Sequence, residues 1–480
     1  MVDPASRPPS ESAGAASVAG APGGTPTVLR LVLPVLAEQV LALSVGFTDK
    51  WLAGNLFPGA ESLAAVGLVA YTLAFLPVLF AMPAVAATAI VARHVGAGDL
   101  PSARRAAAHA FLIGGGLAGV AMAAAAMSGS SVSSLLGLPA DSGILADRYL
   151  AIVIAGLPAM LVIQVGVAVL RGGGDMVAGL IAMLVVNLVN AGLSFALGVG
   201  FAGLPRLGWD GLAWGTLAGH VCGAACVVAL ISRPGCRLRP TCADWRPQAE
   251  WFRRLWRVGL PAGLDAAANA ACHLAFLRIV NRLGNVDAAA HSVAITIESL
   301  AFLPGSAFGV AAATLSGQLL GARDERGARR SVWAAAAAST ALMSTVGLAF
   351  LWWAEPLAAW FTGGAGRQAA VAALTASLVR IVAFAQPPLA LLMVCSGGLR
   401  GGGATRPPLI VNFLGLVVIR LPLAMLLAWP EIELPGGWGT IRACGLGAAG
   451  AWYAMAADLT ARGLAMLIIF SRLRWSRVSV

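Results

Sequence analysis

Residues 169–174 read VLRGGG and residues 398–403 read GLRGGG, so one Leu-Arg-Gly-Gly-Gly stretch occurs twice, 229 residues apart. Two shorter matches occur in the same order, each 227 residues apart: Leu33-Pro34 with Leu260-Pro261, and Phe75-Leu76-Pro77 with Phe302-Leu303-Pro304. Three matches in one order at nearly constant spacing are typical of an internal duplication. The chain is therefore predicted to consist of two homologous halves.

The composition is that of a polytopic membrane protein. Of the 480 residues, 59% are apolar and 11% are charged, and the mean hydropathy is +0.83. A water-soluble fold of this size would lack the polar side chains needed to cover its surface. A helix that crosses the hydrocarbon layer needs about 20 apolar residues. Twelve segments reach that length, at residues 28–51, 62–92, 105–127, 146–170, 176–200, 210–232, 256–280, 288–319, 330–353, 368–398, 407–429 and 444–470.

Six spans in each half insert both halves into the membrane in the same orientation. Parallel repeats of this kind are related by an axis along the membrane normal and place a substrate cavity between them. We therefore predict an all-α, polytopic membrane protein with 12 transmembrane helices in two pseudo-symmetric six-helix bundles around a central cavity. The predicted divisions are a disordered tail (1–27), an N-lobe (28–232), a linker (233–255), a C-lobe (256–470) and a C-terminal tail (471–480).

Basic residues are distributed unevenly along this chain, whose formal net charge is +11. Most of them fall in the two tails and the even-numbered connections, which is the pattern of cytoplasmic segments. This placement explains the charge through topology and argues against a nucleic-acid partner. We expect a monomer in the lipid bilayer of the cell inner membrane, with both termini and the linker in the cytoplasm. The densest basic group lies around the linker: Arg233, Arg237, Arg239, Arg246, Arg253, Arg254 and Arg257.

The connections between the spans are short and leave no room for a soluble catalytic domain. The seven cysteines show none of the usual metal-ligand spacings. A membrane enzyme would need an acid pair or a metal cluster in a loop, and the one loop acid pair, Asp324-Glu325, is followed by arginines. The sequence therefore favours a transporter that is not an enzyme, with no metal site and no cofactor apart from a coupling ion.

Ionisable residues inside spans identify candidate functional positions. Each costs about 2.5 to 3.5 kcal/mol at the centre of a membrane helix, so such residues usually face a cavity or a partner. In the first span, Glu38 and Asp49 are 11 residues apart, close to three helical turns, and project from one face. We interpret them as candidates for a hydrated cation path.

The seventh span carries Asp265, Asn269 and His273 at successive i, i+4 positions, which form one polar stripe on an otherwise apolar helix. On the eighth span, His291 and Glu298 lie one heptad apart and could face that stripe. An imidazole beside carboxylates can titrate near physiological pH, as proton coupling requires. Hydrogen bonding between helices without a transport role is the alternative interpretation of this cluster.

Three stretches of the sequence resemble the multidrug and toxic compound extrusion (MATE) family. The first runs from Pro34 to Gly54 and includes GFTD at residues 46–49. The second, at residues 289–322, reads AAHSVAITIESLAFLPGSAFGVAAATLSGQLLGA, and the third, at residues 399–423, begins LRGGGATRPP. The resemblance covers residues 28–475 and implies an exporter of bulky, often cationic and amphipathic compounds, driven by inward flow of sodium ions or protons.

The resemblance also implies roles for single residues. Asp49 matches an aspartate of the first span that is central to cation coupling in the family, and Asn190 matches an asparagine of the fifth span in the same site. Three positions depart from the family pattern. Ser194 replaces an acid of DinF-like members, Asn269 replaces a glutamate of NorM-like members, and Leu389 stands where an aspartate is expected.

Two assignments of the coupling site follow from these matches and departures. Either Asp49 carries the coupling, or Asp265, His273 and Glu298 form an alternative set in the C-lobe. In both cases the sequence predicts an antiporter, driven by H⁺ or Na⁺, that exports organic cations, drugs or toxic metabolites by alternating access. The alternative function is a flippase for lipid-linked saccharide precursors from the wider superfamily. Such flippases tend to have a strongly basic cavity, whereas the spans here predict an acidic one.

Overall fold

The computed structural model describes residues 25–57, 59–127, 140–362, 368–433, 440–473 and 475, and most of them are helical. The predicted N-terminal tail lies outside the described residues except for residues 25–27, which begin the first helix. Of the predicted C-terminal tail, residues 471–473 and 475 are described.

The first half of the chain forms six spans from seven helices. Two of these helices meet at a bend of 56° and share one broken span. Pro158 lies in the first turn of the helix after the bend, where its fixed φ and missing N–H are tolerated. The helices are α1 (Thr25–Leu56), α2 (Ala60–Gly96), α3 (Leu100–Met127), α4 (Ala140–Ile154), α5 (Leu157–Gly172), α6 (Val177–Val199) and α7 (Trp209–Ser232).

The second half repeats this plan, including a 53° bend between the two helices of its fourth span. Its sixth helix continues into a π-helical stretch, Leu414–Arg420, before the next helix begins at Leu421. The helices are α8 (Ala249–Asn281), α9 (Asn285–Gly321), α10 (Glu325–Thr362), α11 (Gln368–Ala383), α12 (Gln386–Gly401), α13 (Arg406–Phe413), α14 (Leu421–Ala428) and α15 (Gly447–Arg472).

Three short features complete the described chain. A 3₁₀ turn, Phe201–Gly203, follows α6. The linker between α7 and α8 contains one 3₁₀ turn, Cys242–Trp245. An antiparallel ribbon of β1 (Glu431–Glu433) and β2 (Thr440–Arg442) connects the last two spans, with Ile432 opposite Ile441.

Eleven spans of the described chain are long and apolar enough to cross a membrane when each bent pair is counted as one. The remaining long helix, α8, is missing from that set although it spans 33 residues. Its apolarity is reduced by the polar stripe of Asp265, Asn269 and His273 and by the arginines of its first turns. With α8 as the seventh span, the predicted layout of 12 helices in two bundles is confirmed.

Each lobe has its own apolar core. The N-lobe core includes Phe80, Ile90 and Leu212, and the C-lobe core includes Phe308 and Phe470. The first turns of α1 belong to the C-lobe core through Val28, Leu31, Val32 and Val35. Helix α1 therefore links the two lobes, because its later turns lie in the N-lobe.

The lobes meet at the end of the molecule where α2 and α9 finish. Gly96 ends α2 and Gly321 ends α9, and they occupy equivalent positions in the duplicated halves. A Cβ atom at Gly96 would lie 1.9 Å from the carbonyl oxygen of Gln318, and one at Gly321 would lie 2.0 Å from that of Arg93. The two helices can approach this closely because both residues lack a side chain.

Two hydrogen bonds join the lobes at the same end. Gln318 Nε2 donates to the carbonyl of Gly172 over 2.9 Å, and a terminal nitrogen of Arg93 donates to the carbonyl of Gly402 over 3.4 Å. Arg93 and Gln318 hold equivalent positions in α2 and α9, while Gly172 and Gly402 lie at the ends of α5 and α12. At the 229-residue spacing of the repeat, Gly172 corresponds to Gly401, so the duplication supplies a similar contact from each side, shifted by one residue at the acceptor. We call this pair of hydrogen bonds the lobe clasp.

Candidate substrate cavity and cation site

A cavity of about 670 Å³ lies between the lobes. The N-lobe contributes side chains from α2 and α5, including Thr88, Gln164 and Arg171. The C-lobe contributes the rest of the wall from α8, α9, α12, α15 and the span that contains the π-helical stretch. Most of the wall is apolar, as in sites for amphipathic molecules, and Phe302 and Met393 are among its larger apolar side chains.

Two ion pairs in equivalent positions lie beside this cavity. Arg171 bonds the carboxylate of Glu38 over 2.5 Å, and Arg400 bonds the carboxylate of Asp265. The arginines come from the repeated Leu-Arg-Gly-Gly-Gly stretch, and Glu38 and Asp265 are themselves 227 residues apart. The duplication has therefore kept both partners of the pair in each lobe. Neither carboxylate is available as an isolated negative charge.

A second group of charges surrounds Asp458, which is fully buried on α15. Arg462 donates to both of its oxygens, over 2.8 and 2.6 Å, and Arg420 Nε donates to one of them over 2.8 Å. Arg462 also bonds Asn412, whose amide in turn donates to Asp265. Both arginines reach the cavity wall. The π-helical stretch begins two residues after Asn412 and ends at Arg420, so it sets the relative directions of these two side chains.

Glu298 lines the cavity in a different environment from these paired acids. It has no hydrogen bond or ion pair within the described part of the chain, although Arg420 on the same cavity wall is close enough to act on it electrostatically. Asn269 and His273 line the same wall, and the Asn269 amide donates to Asp265. His291 does not reach the cavity, because it is buried and accepts a hydrogen bond from Trp452 Nε1 over 3.1 Å.

The expectation of an acidic cavity was wrong. Arg171, Arg400, Arg420 and Arg462 line it, against Asp265 and Glu298 as lining acids. The carboxylates of Glu38 and Asp458 lie immediately behind and bond these arginines. Four guanidinium groups and four carboxylates therefore balance one another. Asp458 is not among the residues predicted from the sequence.

A separate polar cluster lies inside the N-lobe around Asp49, which is 2% exposed. Its Oδ2 atom accepts hydrogen bonds from Tyr149 over 2.7 Å and Thr216 over 3.0 Å. Its Oδ1 atom accepts one from Asn190 Nδ2 over 3.2 Å. Ser194 adds a hydroxyl within 3.4 Å of the Asn190 amide. These side chains come from α1, α4, α6 and α7, so the cluster joins four of the six N-lobe spans.

The Asp49 cluster contains only neutral partners. Among the described residues no arginine, lysine or histidine forms an ion pair with Asp49. A buried carboxylate without a positive partner is costly, and binding a proton or a cation removes that cost. The Oδ1 atom of Asn190 is also buried and accepts no hydrogen bond within the described chain. Carboxylate, amide and hydroxyl oxygens together form a set that suits a hard monovalent cation as well as a proton.

The structure brings together some predicted site residues and separates others. Asp49 and Asn190 share one cluster, whereas Glu38 lies about 16 Å nearer the start of α1 and bonds Arg171 instead. In the C-lobe, Asp265, Asn269, His273 and Glu298 line one cavity. Tyr149 and Thr216 were not predicted from the sequence. Tyr149 could have been recognised from the sequence. It is one of only three tyrosines in the chain, and a phenol in an apolar span needs a hydrogen-bond partner.

A cavity enclosed by two six-helix bundles, with charged side chains in its wall, defines a two-lobed membrane transporter. The chain belongs to the MatE family, whose model matches residues 34–196 and 261–426, one match in each lobe. The resemblance recognised in the three sequence stretches is thereby confirmed.

Individual relatives match nearly the whole chain. It is 27% identical over 459 residues to the probable multidrug resistance protein NorM of Thermotoga maritima, covering 94% of this chain and 93% of that one. It is 26% identical over 461 residues to the multidrug resistance protein MdtK of Edwardsiella ictaluri, covering 94% and 95%.

Solved structures match the fold equally well. An outward-facing multidrug resistance transporter of the MATE family superposes with a TM-score of 0.85 at 21% identity, covering 96% of this chain and 98% of that one. A transporter of the same superfamily from Pyrococcus furiosus superposes with a TM-score of 0.84 at 20% identity, covering 94% and 96%. The binding pocket of the Pyrococcus protein has reversed polarity, which suggests a different function for that protein.

Proposed function

We propose that this protein is an efflux transporter for small amphipathic organic molecules, driven by an inward gradient of protons or sodium ions, with Asp49 as the coupling residue. The observation that carries the proposal is the burial of Asp49 among neutral donors in the N-lobe. Ion binding there changes the charge state of four packed helices. Membership of a family with relatives named as multidrug resistance proteins supports the transport direction.

The mechanism follows from where the lobes touch. With the linker on the cytoplasmic side, the lobe clasp and the Gly96 and Gly321 contacts close the cytoplasmic end, and the cavity opens outward. Opening the other way requires these contacts to break. An ion bound at Asp49 can drive that change only by binding one of the two states more tightly than the other. Helix α1 suits this coupling, because it carries Asp49 in the N-lobe and packs its first turns into the C-lobe core.

The cavity favours an organic cation as the exported molecule. Glu298 is the lining carboxylate without an ion-pair partner in the described chain, so it can pair with a positive group of the substrate. The apolar wall would contact the rest of the molecule. We expect transport to take place in the cell inner membrane with both termini in the cytoplasm.

Transport by purified protein in liposomes tests this proposal. Uptake of a fluorescent organic cation would be followed under a proton gradient and, separately, under a sodium gradient, for wild type and Asp49→Asn. We expect gradient-driven uptake by wild type under at least one gradient and loss of at least tenfold in the variant. Equal uptake by both proteins under both gradients would reject the coupling role of Asp49.

The cavity arginines keep the second candidate, a flippase for lipid-linked saccharide precursors, open to test. Four lining guanidinium groups could contact a pyrophosphate. Against this function, each of these arginines has a carboxylate partner, so the wall is balanced and not strongly basic. Translocation of a fluorescent polyprenyl pyrophosphate sugar in the same liposomes, without uptake of organic cations, would favour the flippase.

A further inference from the structure

A basic pocket lies outside the transport cavity, between the linker and the start of α3. Its volume is about 590 Å³, and Arg104, Arg237 and Arg239 line it together with Leu100, Cys236, Pro240, Thr241 and Cys242. No acidic side chain is among its lining residues. We call it the linker pocket. Neither the coupling mechanism nor the substrate cavity involves any of these residues.

The three arginines of the linker pocket have no ion-pair partner within the described chain, although acids lie nearby. Those acids are already engaged: Asp175 bonds Arg233 over 2.7 Å, and Asp244 lies 3.8 Å from Arg105 and also bonds Thr241. Arg104 is half-buried, and its Nε–H is shielded from solvent without an acceptor in the described residues. Three guanidinium groups around one depression therefore present positive charges and N–H donors, uncompensated by an acid of the described chain, to which an external anion can bind.

The linker pocket is a folded feature and not a loose basic loop. Leu238 is buried against Gly173, at a spacing where a Cβ on that glycine would come within 2.6 Å of it. Asp244 and Thr241 form a reciprocal capping arrangement around the 3₁₀ turn. The Gln248 N–H donates to His109 Nε2 on α3 over 3.0 Å. These contacts fix the linker on the N-lobe and hold the arginines in place.

The position of the linker pocket in the fold indicates which kind of anion it binds. Leu100 begins α3, a membrane span, so we infer that the pocket lies at the level where hydrocarbon gives way to lipid headgroups. Trp245 is 41% exposed beside Phe111 of α3, as expected of an aromatic ring at that depth. Arginine binds phosphate through paired N–H donors. We propose that the linker pocket binds the phosphate group of an anionic phospholipid, which then bridges the linker and α3.

Native mass spectrometry of the full-length protein would test this assignment with dioctanoyl phosphatidylglycerol, dioctanoyl phosphatidylcholine and inorganic phosphate as separate probes. The test variant is Arg104→Gln/Arg237→Gln/Arg239→Gln. The matched control is Arg246→Gln/Arg253→Gln/Arg257→Gln, which removes the same charge from exposed arginines of the same region outside the pocket. The hydrogen bond from one arginine to the phosphate is expected to contribute roughly fivefold to affinity, so three give about a hundredfold.

We expect phosphatidylglycerol to bind wild type and the control alike and to bind the pocket variant about a hundredfold more weakly, with little binding of phosphatidylcholine. Equal loss in the control variant would overturn the proposal, because attraction would then depend on total charge. Binding of inorganic phosphate as tight as that of phosphatidylglycerol would overturn the lipid assignment. The single variant Arg237→Gln, exposed in the folded protein, gives a second reading of roughly fivefold if the triple variant misfolds. Liposome transport by wild type and Asp49→Asn is measured separately from lipid binding. The proposed function and the lipid-binding proposal can therefore fail independently of each other.

Discussion

At the scale of single residues, two buried aspartates show how partners decide the role of a charge. Asp49 is surrounded by neutral hydroxyl and amide donors, whereas Asp458 bonds two arginines. Both are almost fully buried. The buried charge of a carboxylate with two guanidinium partners is compensated, while a carboxylate with neutral partners remains free to bind a proton or a cation.

Replacement of each aspartate by asparagine should therefore change thermal stability in different directions. Asp458→Asn leaves two arginines without their shared acid, and breaking a buried pair of this kind costs about 3 to 5 kcal/mol. Asp49→Asn removes an unpaired buried charge and should leave the melting temperature unchanged or higher. Melting curves of both variants in the same detergent check this. A large loss of stability in Asp49→Asn with none in Asp458→Asn would contradict the assignment.

Glu298 offers a second residue-scale test. Glu298→Gln keeps the size of the side chain but removes the lining negative charge that has no ion-pair partner in the described chain, so cation transport should fall about tenfold or more. A charged hydrogen bond is worth about 1.5 to 3 kcal/mol. The control is Glu355→Gln, since Glu355 forms an exposed ion pair with Arg380 that contributes little. Liposome uptake at several substrate concentrations gives the measurement. An unchanged KM in Glu298→Gln would remove this residue from the substrate site.

Sequence reasoning could identify Asp49 and Asn190, because polar residues in an apolar span are rare and the family resemblance assigns them. It could not identify Thr216, since a threonine in a helix can bond its own backbone, as Thr216 does with the carbonyl of Leu212. It also placed Glu38 with Asp49, because helical spacing gives the face of a residue but not its depth. Eleven residues along α1 lead from the N-lobe interior to the region beside the cavity.

At the scale of elements, the π-helical stretch Leu414–Arg420 determines which side chains of its span face the C-lobe part of the cavity wall. A π turn holds an additional residue, so side chains after it point in other directions than in an α-helix. Gly415 lies in this stretch, where a Cβ would come within 2.3 Å of Arg462 Cδ and 2.5 Å of Asp458 Oδ1. The close packing of α15 on this span therefore depends on a residue without a side chain.

Gly415→Ala should displace the Arg462 and Asp458 side chains and destabilise the C-lobe. Overpacking of a closely packed interior costs about 1 to 3 kcal/mol. The matched control is Gly192→Ala on α6, where a Cβ meets no atom within 4 Å. Melting temperatures in detergent check the difference. If both variants have the melting temperature of wild type, the packing at Gly415 is looser than its geometry indicates.

The helical elements were largely predictable, and their bends less so. Runs of apolar residues predicted twelve spans, and each corresponds to a helix, a bent pair or, for the eleventh, two helices joined by the π-helical stretch. Pro158, Pro387 and Pro388 can be read from the sequence. The sequence does not show, however, whether a proline begins a new helix or lies inside a continuous one. Pro34 and Pro304 lie inside unbroken helices, whereas the other three begin new ones. Packing against neighbouring helices decides between the two outcomes.

At the scale of the whole molecule, the contacts of Gly96 and Gly321 control how closely the lobes approach. Gly96→Ala would place a Cβ 1.9 Å from the Gln318 carbonyl oxygen, and Gly321→Ala would place one 2.0 Å from the Arg93 carbonyl oxygen. Either substitution should shift the protein away from the state with this end closed. Spin labels on the two lobes, read by electron–electron double resonance, should show a longer distance at this end.

Gly115→Ala on α3 serves as the control, because a Cβ there meets nothing within 4 Å. Its distance distribution should match that of wild type. Because the Gly96 and Gly321 contacts are equivalent in the two halves, the two variants should change the distances by similar amounts. A shift in one variant alone would mean that the two halves contribute unequally to closure.

The Asp49 cluster and the central cavity have no residue in common. If Asp49 drives the pump, a bulky inhibitor lodged between the lobes would not compete with the ion for its site. Raising the ion concentration would therefore fail to relieve such inhibition, and kinetics would be non-competitive with respect to the ion. Resistance mutations against such an inhibitor would then be expected in the cavity wall, while the machinery that powers the pump stays intact.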